Sequence, residues 1–162
     1  MATKTVFYSF HYERDVHRVQ LVRNINTLEG QPLLNAQDWE AVRQNGPQAI
    51  KNWIHDQMKY KRAVVVLTGQ QTAGRSWVTY EIEKARDEKK PLVGIRIHGL
   101  SSFGSSDREG PNPFDQVSGV SDIPVFDPTV RDGQGNVDTK ATHSKLTSNL
   151  ESWVAQAKVR MP

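Results

Sequence analysis

Cysteine is absent from this chain of 162 residues. That excludes disulfides, thiolate zinc sites, iron–sulfur clusters and thiol nucleophiles. It suits a reducing compartment, so a cytoplasmic location is expected. No apolar run approaches the roughly 20 residues of a membrane span. The stretch Val6 to Phe10, interrupted by Ser9, is too short for the apolar core of a signal peptide. An excess of one charge sign is also lacking. There are 21 Lys and Arg against 18 Asp and Glu, a net charge of +3, with the signs interleaved. Such a balance leaves no electrostatic footprint for nucleic acid. Several motifs are missing too. Without G-x-x-x-x-G-K-S/T a P-loop is excluded, and without G-x-G-x-x-G after a strand so is a Rossmann fingerprint. Without G-x-S-x-G there is no nucleophile elbow. The five histidines, at 11, 17, 55, 98 and 143, form no H-x-x-x-H pair, so no metal site is expected.

What is present alternates between two periods. Thr5–Ser9 is rich in β-formers and predicts a strand. From Asp15 to Asn26, Val16, Val19, Val22 and Ile25 recur in steps of three, which predicts a helix. Pro32-Leu33-Leu34 predicts a short edge strand. Gln37–Asn45 is polar apart from Trp39 and Val42. Asn45-Gly46-Pro47 then opens a helix reaching about Tyr60, since proline is tolerated in a first turn. Ala63-Val64-Val65-Val66-Leu67 has no alternation, the mark of a strand buried on both faces. Ser76 is placed to cap a helix from Trp77 to Lys89. Pro91–Ile97 predicts a strand, His98–Ser118 a long loop, and Ile123–Phe126 a last short strand. Gly133-Gln134-Gly135-Asn136 reads as a turn, and Ala141–Lys158 as a final helix.

This alternation predicts an α/β fold: one domain over residues 1–162, with helices on both faces of a five-stranded parallel sheet in the flavodoxin-like order 2-1-3-4-5. Ligands in such sheets lie beyond the carboxyl ends of the strands, near the point where the order reverses. The rule gathers Ser9–Asp15, Thr68–Trp77 and His98–Asp115. A receiver domain shares this architecture. It needs an acidic pair after strand one and an aspartate ending strand three, and here those places hold Ser9-Phe10 and Leu67-Thr68-Gly69.

Each of these loops admits a chemical reading and a structural one. In Phe7-Tyr8-Ser9-Phe10-His11-Tyr12, Ser9 and His11 can donate to phosphate or ribose oxygens and aromatics can stack on a base. The same residues also suit a core strand end and a solvent-facing histidine. Glu81 lies near the start of a helix, where a carboxylate is favourable by itself. Turned into the cleft, it would be ionised at neutral pH at its reference pKa of about 4.3. It could then hold ribose hydroxyls and stabilise positive charge as a glycosidic bond breaks. In Gly110-Pro111-Asn112-Pro113-Phe114 the prolines stiffen the backbone, making Asn112 either a rigid reader beside the cleft or part of a structural turn.

Seven blocks together resemble the TIR-like domains of the bacterial Thoeris anti-phage system. They are Val6–Tyr12, Val22-Arg23-Asn24, Asp38-Trp39-Glu40, Val66–Thr72, Arg75–Ile82, Val93–Ile97 and Gly110–Phe114, in order along roughly residues 4–128. The resemblance implies a flavodoxin-like TIR fold. It also implies an enzyme that consumes NAD⁺ on infection, as substrate and not as cofactor. Nicotinamide leaves, and the ADP-ribose part becomes a signalling nucleotide, in many members a cyclic ADP-ribose isomer, which activates a separate effector. Glu81 matches the catalytic glutamate. Ser9, His11 and Asn112 match positions around the nucleotide, and Phe10, Trp77 and Tyr80 flank those motifs. Self-association into a homo-oligomer is expected, and neither a membrane nor nucleic acid is expected as a partner. The phage-derived trigger is not encoded in any recognisable motif. Two other functions remain open at this point: a non-catalytic TIR-like adaptor working through the 98–118 loop, and a flavin-binding flavodoxin-like protein.

Overall fold

The computed structural model describes residues 4–33 and 36–159. Its centre is the apolar run of the sequence, β3 (Ala63–Thr68), in which every residue is buried. On one side it pairs with β1 (Lys4–Ser9) and on the other with β4 (Leu92–Arg96). The edges are β2 (Leu28–Glu29) and β5 (Val125–Phe126). All pairings are parallel, and the order is β2-β1-β3-β4-β5, as the alternation predicts.

Successive strand side chains point to opposite faces, which builds two cores. On one face Val6, Tyr8, Val65, Leu67, Val93 and Ile95 meet α1 (Tyr12–Asn24) and α5 (Thr139–Val154). On the other, Phe7, Val64, Val66 and Leu92 meet α3 (Pro47–Met58) and α4 (Ser76–Asp87). A further helix, α2 (Ala36–Gln44), adds Trp39 and Val42 to the second core. No described helix is long and apolar enough to cross a membrane.

The edge strand differs from the sequence expectation. It forms at Leu28–Glu29, pairing Lys4 with Leu28 and Thr5 with Glu29. Pro32 and Leu33 lie outside any strand, and Leu34 falls outside the described residues. The ladder stops because a side chain takes it over. The Tyr8 amide donates to Gln31 Oε1 at 2.9 Å, and Gln31 Nε2 donates to the Tyr8 carbonyl at 2.8 Å. Gly30 allows this close approach, since a Cβ there would sit 2.5 Å from the Tyr8 ring.

Helix boundaries differ by smaller amounts, each with a local cause. His11 caps α1 and starts it three residues early, its Nδ1 accepting from the Arg14 amide at 3.2 Å. In α4, Ser76 is the first helical residue and not the cap; Arg75 holds the cap position, and its side chain makes no capping hydrogen bond to the helix. Asp138 caps α5 at the Ala141 amide, and the helix ends at Val154 because Lys158 forms a bridge to Leu92. β5 is confined to Val125–Phe126, the Ile123 amide being engaged in a turn with the Val120 carbonyl.

The long loop after β4 is fastened to α1 by buried charge. Arg18 is 4% exposed and donates to the carbonyls of Leu100 (2.9 Å) and Ser105 (3.0 Å). It also pairs with Asp107 at 3.2 Å.

Candidate active site

The strand order reverses between β1 and β3, whose carboxyl ends carry Ser9 and Thr68. Helix α4 follows β3 and buries Val78, Ile82 and Ala85 on its inward face. Glu81 lies three residues after Val78 and four before Ala85, so helical spacing puts it on that same buried face. Its carboxylate reaches the end of β1, where Ser9 Oγ donates to Glu81 Oε1 at 2.6 Å.

Burial changes the charge expected of this group. Desolvation raises the Glu81 pKa from 4.5 to about 8, and the Ser9 hydrogen bond offsets only part of the rise. At neutral pH this carboxyl is therefore mostly the protonated acid. This corrects the expectation of an ionised carboxylate, which assumed a solvated group.

Glu81 lies at a cavity of about 390 Å³. That volume falls within the usual range for ligand sites. The turn from β1 into α1 supplies Phe10, His11 and Tyr12, the segment after β2 supplies Gln31 to Leu33, and the start of α4 supplies Arg75, Ser76 and Trp77. Trp39 from α2, Trp53 from α3, and Tyr8, Glu13 and Arg43 also line it. The aromatic rings touch one another: Tyr12 and Trp39 centroids lie 5.5 Å apart, and Trp39 and Trp53 meet edge-to-face at 6.1 Å.

The polar groups vary in charge. Because His11 Nδ1 accepts from the backbone, its proton is assigned to Nε2. Burial lowers its pKa, and Arg75 adds to the effect, so His11 is a neutral donor at pH 7. Fixed positive charge comes from Arg75, held by the Gln71 carbonyl (3.2 Å) and Oε1 (3.0 Å), and from Arg43, paired with Glu13 at 2.8 Å. Among the described residues no group of three or more His, Cys, Asp or Glu could hold a metal ion.

Of the site residues expected from sequence, Phe10, His11, Trp77 and Glu81 line the cavity, with Ser9 behind Glu81 and fully buried. Tyr80 is not among the lining residues; it packs edge-to-face on Trp77 at 5.7 Å. Asn112 is not among them either. Its Oδ1 accepts from the Phe114 amide at 2.9 Å and caps the short 3-10 helix Pro113–Gln116. The stiff loop thus drives Phe114 into the core, which is the structural reading of that motif. No residue of the 98–118 loop lines the cavity. The loop packs instead on the one after β3, where the Arg108 amide donates to Gln70 Oε1 at 3.0 Å.

The residues missed from sequence are Tyr12, Trp39, Trp53, Arg43, Arg75 and Gln31. A signal existed for three of them, since Tyr12, Trp39 and Arg75 stand within the blocks Val6–Tyr12, Asp38-Trp39-Glu40 and Arg75–Ile82 that carry the resemblance.

A buried carboxyl group at a cavity lined by aromatic rings and two guanidinium groups has the chemistry to meet a ligand with flat bases, sugars and phosphates. Comparison with known proteins agrees with the fold that builds it. The Thoeris protein ThsB, TIR-like domain, matches residues 7–102.

The chain belongs to this family.

The matched span of the ThsB TIR-like domain includes Ser9, Phe10, His11, Trp39, Trp53, Trp77 and Glu81, and excludes Asn112. One relative, from Bacillus cereus (strain MSX-D12), is 35% identical over 120 residues, which is 70% of this chain. It carries the name "Putative cyclic ADP-D-ribose synthase ThsB1". The alignment spans 62% of that relative's own length.

Proposed function

We propose that this ThsB-like TIR domain cleaves NAD⁺ at the nicotinamide–ribose bond. The remaining ADP-ribose is converted to a signalling nucleotide, a cyclic one, which activates a separate effector protein during phage infection in the cytoplasm. The observation that carries this reading is Glu81, buried at an aromatic-lined cavity beyond the reversal of strand order. The printed name of the Bacillus relative supports the cyclic product.

The chemistry follows from the site's charge. Nicotinamide in NAD⁺ is cationic at its ring nitrogen. An opposite charge within about 4–6 Å of a carboxyl lowers its pKa by about 1–3 units. Substrate binding therefore ionises Glu81, whose resting pKa is about 8. The bond between ribose C1 and the ring nitrogen breaks, and its electron pair leaves with neutral nicotinamide. Positive charge passes to the ribose, where the Glu81 carboxylate stabilises it in a medium of low dielectric. An adenine nitrogen or a ribose hydroxyl of the same molecule then bonds to C1. A hydroxyl would surrender its proton to Glu81. Folding the substrate against the Tyr12–Trp39–Trp53 rings raises the effective concentration of that internal nucleophile over water. His11 Nε2–H and the Arg75 guanidinium are the donors for phosphate oxygens.

The test is mass spectrometry of nucleotides from phage-infected cells expressing either the wild type or Glu81→Gln. An ADP-ribose-derived product in the wild type alone supports the reading. Protection from phage that persists in Glu81→Gln, with no nucleotide in either, would establish the adaptor function instead.

A further inference from the structure

Ser9 presents a contradiction as a substrate-binding residue. It is the last residue of β1, registered against Val66 of β3, and no part of it is exposed. A ligand in the cavity meets Glu81 and Phe10, while Ser9 is absent from the lining. A buried strand position beside valine calls for an apolar side chain. A hydroxyl there costs free energy unless it is hydrogen-bonded, and its partner is Glu81 Oε1 at 2.6 Å.

We infer that Ser9 is a positioning residue for Glu81: its hydroxyl tethers one carboxylate oxygen and thereby leaves the other for the sugar of the substrate. Two observations support this beyond the distance. Among the described residues Ser9 is the hydrogen-bond partner of Glu81, and Oε2 is not among the buried side-chain atoms left unpaired. The carboxylate would otherwise turn freely about its terminal bond, which has a broad torsional preference. The register of Ser9 with Val66 in the buried central strand also makes a rigid base for a tether.

The inference deepens the NAD⁺ reading and relies on it for kinetics, but has a second readout that does not. A donor to the charged form favours that form, so losing the hydroxyl makes Glu81 harder to ionise. The other titratable or charged groups facing the cavity are Tyr8, His11, Tyr12, Glu13, Arg43 and Arg75, and none is altered by the substitution.

The experiment uses the full chain with ¹³C-carboxyl-labelled glutamate, the Glu81 resonance being assigned by its loss in Glu81→Gln. In Ser9→Ala the midpoint of the Glu81 titration moves to higher pH, and Ser9→Cys, a weaker donor, falls between. With NAD⁺, Ser9→Ala lowers kcat about tenfold or more while KM stays within about twofold, since a lost tether alters chemistry more than binding. An unmoved midpoint in Ser9→Ala overturns the inference, and so does a raised KM at unchanged kcat, which would make Ser9 a substrate contact. If Ser9→Ala does not fold, Ser9→Cys carries both readouts against the wild type. If the wild type consumes no NAD⁺, the NAD⁺ reading has failed and the titration alone decides the tether.

Discussion

Glu81→Gln should stabilise the protein progressively as pH rises. The folded carboxyl titrates at about 8 instead of 4.5 because it is buried. Between those values the folded chain keeps a proton that the unfolded chain releases. Stability falls with rising pH wherever the native state binds more protons. The loss therefore begins as pH rises through 4.5 and is complete once it passes about 8. Each pH unit of displacement is worth about 1.4 kcal/mol, so the whole window corresponds to about 3–5 kcal/mol. Glutamine has nearly the same shape, can still accept from Ser9 Oγ and does not titrate. Asp15 is also raised by burial, from 3.8 to about 6, and tilts the curve at lower pH. It is present in both proteins and cancels in the difference. Urea unfolding at pH 5 and pH 8.5, extrapolated linearly to water, gives the quantity needed. The gap between Glu81→Gln and wild type should widen by about 3–5 kcal/mol from the lower pH to the higher. An unchanged gap would mean that Glu81 is solvated and ionised in the folded protein, not a buried acid.

Binding of NAD⁺ at pH 7 should release up to about one proton, because the ligand's cation ionises Glu81; calorimetry in two buffers of different ionisation enthalpy measures it, and Glu81→Gln should abolish it. Trp39→Ala should raise KM for NAD⁺ about tenfold with a small effect on kcat, since stacking of a base on an aromatic ring is worth about 1–3 kcal/mol; an unchanged KM would remove the aromatic wall from substrate binding. Arg18→Met leaves the fully buried Asp15 without its cation, while Asp107 keeps Arg14 at 3.2 Å, and should cost about 3 kcal/mol. Hydrogen exchange should then quicken first in residues 100–107, and uniform exchange across the chain would contradict the tethering role.

The sheet was legible because its signals are local. Five consecutive apolar residues at 63–67 and the valine steps of α1 declare their periods without reference to anything distant. The edge strand was not, because Gln31 replaces a backbone ladder with a side-chain amide, and no pattern of hydrophobicity records that. Glu81 could be singled out from its motif and its place near a helix start, but its protonation could not. That depends on the packing of α4 against β1, residues 72 positions apart at the Ser9–Glu81 contact. The aromatic wall was hidden for the same reason. Tyr12, Trp39 and Trp53 come from three helices, and each ring alone reads as core. Asn112 carried two readings because a rigid loop looks the same whether it faces a ligand or caps a turn, and its cap bond to the Phe114 amide depends on the folded loop.

The bond that Glu81 is proposed to break joins nicotinamide to ribose, and its cleavage can be followed directly. Lysate from phage-infected cells expressing this chain, supplied with NAD⁺ labelled in the nicotinamide ring, should release labelled nicotinamide with the wild type and not with Glu81→Gln. Equal release from both, or none from the wild type, would contradict that role for Glu81.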